Sequence, residues 1–139
     1  MADYFTHFSC LLDVGSAEKA ARAYELFLSF LNETYADSQT LSCGFDLSIQ
    51  DDQPHSKLWI RDDDSGDIEA VIAFVLRLAE TLDLTGLWGF EYALTCSRPR
   101  LDAFGGGAHV LDLGARTTIG WTNTNEWLAA ALTGEDAHA

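Results

Sequence analysis

Residues 88–97 read Trp88-Gly89-Phe90-Glu91-Tyr92-Ala93-Leu94-Thr95-Cys96-Ser97. Trp88, Phe90, Tyr92, Leu94 and Cys96 share one parity, while Gly89, Glu91, Ala93, Thr95 and Ser97 share the other. A period of two belongs to a strand, because successive Cβ atoms point to opposite faces of a sheet. The large apolar set marks the face turned to the core.

Upstream of this strand the period changes. Ile68, Val71, Ile72, Val75, Leu78 and Leu82 recur at three- and four-residue steps, which places them on one stripe of a helix. The acidic run at 62–67 opens that helix, and Leu84-Thr85-Gly86 closes it, with glycine suited to a left-handed cap. Before it, Phe45, Leu47 and Ile49 alternate with Asp46, Ser48 and Gln50. Leu58-Trp59-Ile60 follows the turn-forming Asp51-Asp52-Gln53-Pro54-His55, so the two stretches read as a hairpin. Ser16 is placed to cap an earlier helix, whose apolar stripe is Ala20, Ala23, Tyr24, Phe27, Phe30 and Leu31. Tyr4, Phe8, Cys10, Leu12 and Val14 alternate with His7, Ser9 and Asp13, which predicts one strand over 4–14.

The order β-α-β-β-α-β predicts an α+β fold, a ferredoxin-like two-layer sandwich over 4–97 within a single domain of 139 residues. Residues 98–132 are expected to add a C-terminal β-hairpin (109–113 with 117–121) and a short helix led by an Asn123 capping box; 133–139 reads as a frayed tail. In such a sandwich the first and last core strands are neighbours. Cys10 and Cys96 then face the helices, and Phe5, His7, Leu11 and Trp59 form an apolar outer face. That face calls either for the terminal hairpin and helix, anchored by Trp121 and Trp127, or for a second copy of the chain.

Eight basic and twenty-two acidic side chains give 8 − 22 = −14. This excludes nucleic acid as a natural partner, since affinity for a phosphate backbone comes from Lys and Arg displacing counterions. It equally disfavours anionic membranes and favours a basic partner. The start of the chain lacks a basic segment followed by an apolar run, the longest aliphatic stretch is too short to span a bilayer, and the three cysteines match neither a disulfide framework nor a zinc pattern. A reducing cytoplasm is the expected location.

Three constellations could carry chemistry. His7 and Glu91 on one sheet face would make a His–carboxylate pair for proton transfer, with His109 a further proton carrier. Arg98, Arg100 and the glycines Gly105, Gly106 and Gly107 would make an anion-binding loop, although their spacing matches no phosphate-binding motif. Asp62 and Asp64 are the candidate cation ligands in the acidic run. Taking Gly66 as the sixth position of a calcium loop puts Arg61 first and Ile72 twelfth, both wrong, so a helix-capping turn is the expected role. No cofactor is implied. The expected function is a non-enzymatic interaction protein, self-associating as a homodimer or binding a basic partner as an inhibitor, immunity-type or phosphate-mimicking protein. A pocket for a small anion between Arg98 and His109 is the alternative.

Overall fold

A computed structural model of the chain describes residues 4–35, 44–63, 66–99 and 103–134. Its elements in order are β1 (Tyr4–His7), β2 (Ser9–Asp13), α1 (Ala17–Tyr35), β3 (Asp46–Ile49), β4 (Lys57–Arg61), α2 (Ile68–Leu82), β5 (Leu87–Cys96), β6 (Gly105–Asp112), β7 (Thr117–Asn123) and α3 (Thr124–Leu132). The class is α+β, but the strands form two antiparallel sheets, ordered β1-β5-β6-β7 and β2-β4-β3, not the single four-stranded sheet expected.

The division falls inside the stretch expected as one strand. β1 pairs with β5, from Tyr4 opposite Cys96 to His7 opposite Ala93. One residue later the chain joins the other sheet, with Leu11 opposite Trp59. Phe8 is the pivot. Its ring is buried, and both of its backbone groups go to Asp62: Phe8 N donates to Asp62 Oδ1 at 3.0 Å, and Phe8 O accepts from Asp62 N at 3.0 Å. One residue from a distant loop thus satisfies the groups that a ladder would otherwise occupy. Gly66 is required beside this pivot, because a Cβ there would strike the carbonyl oxygen of Thr6.

α2 begins as its sequence dictates. The Asp67 side chain accepts from Glu69 N at 3.0 Å and Ala70 N at 3.2 Å. It ends differently from expectation. Asp83, at φ 54°, takes the left-handed cap, and Leu84 N donates to Ala79 O at 3.0 Å. Aspartate tolerates that conformation better than most residues. Gly86, at φ 94°, shapes the following turn, where Gly86 O accepts from Leu113 N at 2.9 Å.

The core lies between the helices α1 and α2 and the strands. Its centre is aromatic: Phe74 meets Phe27, Phe30 and Phe45 with ring centroids 5.7, 5.4 and 5.5 Å away. β6 runs the length of β5, from Asp112 opposite Leu87 to Gly105 opposite Leu94, so the terminal hairpin extends a core sheet. β7 closes that sheet, with Ile119 bulged out of the pairing to β6. No helix among the described residues is long and apolar enough to cross a membrane.

Candidate functional site

His7 has a carboxylate partner, but it is Asp62 and not Glu91. His7 Nδ1 lies 3.1 Å from Asp62 Oδ2, and His7 Nε2 lies 3.1 Å from Thr95 Oγ1. Glu91 sits on the same side of β5, two positions from the Ala93 that faces His7. A neutral imidazole with its proton on Nδ1 satisfies both contacts, donating to Asp62 and accepting from the Thr95 hydroxyl. Asp62 is therefore committed to the strand pivot instead of to a cation; Asp64 lies outside the described residues. Among the described residues no group of three His, Cys, Asp or Glu side chains is arranged to hold a metal ion.

The glycine triplet does not form a loop. Gly105, Gly106 and Gly107 open β6, and their missing side chains serve packing. A Cβ on Gly107 would run into the Tyr92 ring, and one on Gly106 would approach Tyr92 O at 2.6 Å. Arg98 is exposed beyond the end of β5, and Arg100 lies outside the described residues. His109 is four residues along β6 from Gly105, about 13 Å at the usual rise of a strand. There its ring stacks on Phe90 at 6.3 Å and Nε2 lies 2.8 Å from Thr118 Oγ1, while burial pulls its pKa below the ordinary value. Among the described residues the three glycines thus belong to a strand and not to the loop expected of them.

Where β2 leaves β5, a cleft of about 500 Å³ opens, lined in part by Ser9, Cys10, Glu91 and His109. The Trp88 indole spans the parting by donating to Leu11 O at 2.8 Å. The Cys10 thiol meets Ile60 O at 3.6 Å, and burial pushes its pKa to about 11. At pH 8 a pKa of about 11 leaves roughly one thiol in a thousand ionised. Iodoacetamide at that pH is therefore expected to alkylate Cys10 far more slowly in the folded protein than in 6 M urea, as read by peptide mass spectrometry. Equal rates would show the thiol to be accessible and ionisable.

On the outer face, three of the four residues expected to form an interface are engaged laterally. Phe5 stacks on His7 at 5.9 Å, Trp59 Nε1 donates to Ser9 Oγ at 2.7 Å, and the Arg61 guanidinium lies 4.0 Å over the Trp59 ring. Leu11 is exposed.

Sequence reading gave the terminal residues too small a part. α3 neighbours β6 and β7. It is tied by Gly106 N donating to Thr124 Oγ1 at 3.0 Å and is capped by Asn123, whose Oδ1 accepts from Glu126 N at 2.7 Å. None of its residues is buried. The two expected anchors stand open to solvent, Trp121 at 60% and Trp127 at 48% exposure, as do Ile119, Leu128 and Leu132. The signal was present in the sequence: of thirty charged side chains (22 + 8), only Glu126 falls within 117–134. In comparisons with known proteins, the chain matches no family model, no curated protein and no solved structure.

Proposed function

We propose that this protein is a self-associating interaction module whose contact surface is formed by β7 and α3. The observation that carries this reading is the coincidence, over 117–134, of five large exposed apolar side chains with a single charge. Large apolar side chains left exposed close together in the chain mark an interaction site when they share a surface. A second copy is the occupant that the charge favours. Two bodies of charge −14 repel wherever their carboxylates approach, and this stretch is where that repulsion is least. β7 also ends its sheet with no charge and no proline, two of the usual devices that prevent strand edges from pairing. Finally, α3 spans nine residues and buries none, whereas isolated helices shorter than about 12–15 residues are marginal in water. Packing against another copy would supply what the monomer does not.

The rest of the sequence carries 22 − 1 = 21 acidic side chains, whose charge would speed encounter with a basic partner, and a reducing cytoplasm suits the free thiols of Cys10 and Cys96. We read the two sheets as one ferredoxin-like β-α-β-β-α-β sandwich opened between β2 and β5. The neighbours β2-β4-β3 and β1-β5 support that reading.

Sedimentation velocity across a concentration series tests the self-association. The wild type is expected to form dimers, and Trp121→Glu with Trp127→Glu to yield monomers with unchanged circular dichroism. A wild type monomeric at every soluble concentration, or a double variant that still dimerises, overturns the proposal. Leu11→Glu serves as the comparison: loss of the dimer in that variant alone would move the interface to the outer face.

A further inference from the structure

The chain has only two lysines, Lys19 and Lys57. One stands in the first turn of α1 and the other opens β4, yet both line one depression of about 680 Å³. The depression lies where the end of β2, the turn between β3 and β4, and the segment after α2 meet. In a protein with twenty-two carboxylates the ordinary fate of a cation is an ion pair. Arg22, Arg61 and Arg116 follow that rule, with Glu25, Asp46 and Asp83 at 3.5, 3.4 and 3.4 Å. Neither lysine has a carboxylate within ion-pairing distance among the described residues.

The two carboxylates that border the depression each have a partner other than a lysine. Asp13 Oδ1 accepts from Gly15 N at 2.9 Å, and that bond, then one from Ser56 and the nearby charge of Lys57, hold its carboxyl below the usual range. Asp83 is the partner of Arg116. What remains is a pair of ammonium groups without a direct ion pair among the described residues, Lys57 sensing Asp13 only at a distance, with Thr85 on the same lining. Ammonium groups on flexible stems suit a compact, multiply charged oxyanion, which they can approach from several directions. The surrounding negative field repels stray anions, so a ligand held here must be held by these groups.

We infer that this depression binds the phosphate group of a small metabolite between Lys19 and Lys57. The site is independent of the proposed self-association surface and stands or falls separately. The test is an amide-resolved NMR titration of the ¹⁵N-labelled protein at pH 7 with inorganic phosphate, with glycerol 3-phosphate, and with chloride at matched ionic strength. Saturable shifts are expected at Gly15, Lys19 and Lys57 with both phosphates and not with chloride. A stronger response to the ester identifies a phosphorylated metabolite, and an equal one identifies free phosphate, as the source of the bound group. Lys19→Gln and Lys57→Gln are each expected to weaken binding about tenfold, the loss of one charge-assisted contact. Both lysines are exposed, so the fold should persist, which circular dichroism verifies. Shifts matched by chloride, shifts indifferent to both substitutions, or shifts centred on Arg98 and Gly105 overturn the assignment.

Discussion

Phe74→Ala is expected to lower the free energy of unfolding by about 3–5 kcal/mol, the range for truncating a fully buried phenylalanine. Phe74 has no exposed surface, and its ring is the common neighbour of Phe27 and Phe30 from α1 and of Phe45, the residue before β3. Removing it takes away transfer energy and leaves a void that three rings cannot fill together, because each is also fixed by its own element. Domains of this size are stable by about 5–15 kcal/mol, so the loss is a large share of the whole. Urea titration followed by far-ultraviolet dichroism measures it. Phe74→Leu, which retains much of the volume, should cost clearly less than the alanine change. If the alanine variant lost under about 1 kcal/mol, the aromatic centre would not be the packed unit described.

Phe74 also shows where the sequence was legible and where it was not. The stripe Val71, Val75, Leu78 and Leu82 was readable from spacing alone, because one face of α2 meets the core. Phe74 falls beside that stripe. It is buried because α2 is also enclosed by α1, which widens the apolar arc beyond what a single contact face requires. The strand at 88–97 was legible for the same local reason, since alternation along β5 needs no information from elsewhere. The glycines of β6 were not. Three consecutive glycines carry loop propensity, and only the register, which sets Gly107 opposite Tyr92, gives them a reason to be in a strand. The helix stop after α2 misled for a related reason: Gly86 looked the natural left-handed residue, yet Asp83 holds that conformation one position after the helix. The terminal surface was misjudged through its tryptophans, which composition alone assigns to an interior.

The parting of the sheets was the least legible feature, and Asp62→Ala tests it. Alternation runs through Phe8 without a break, so nothing local marks the pivot; its cause lies 54 residues away in sequence. The alanine variant is expected to cost about 2–3 kcal/mol, because it removes a charged acceptor from Phe8 N and from His7 Nδ1 together and leaves a partly buried amide without its partner. Asp62→Asn separates the two roles. Its side-chain oxygen can still accept from Phe8 N, and its amide can face a His7 ring of the other tautomer, which then donates from Nε2 to the Thr95 hydroxyl. The asparagine variant should therefore retain most of the stability, and His7→Ala should fall between the two. Hydrogen exchange gives an independent reading: the Phe8 amide should exchange much faster in the alanine variant than in the asparagine variant. A loss within about 0.5 kcal/mol, the scale of an ordinary surface change, would mean that the chain bends at Phe8 without help from Asp62. The cleft between β2 and β5 would then need another cause, such as the Trp88 indole occupying Leu11 O in place of a ladder partner.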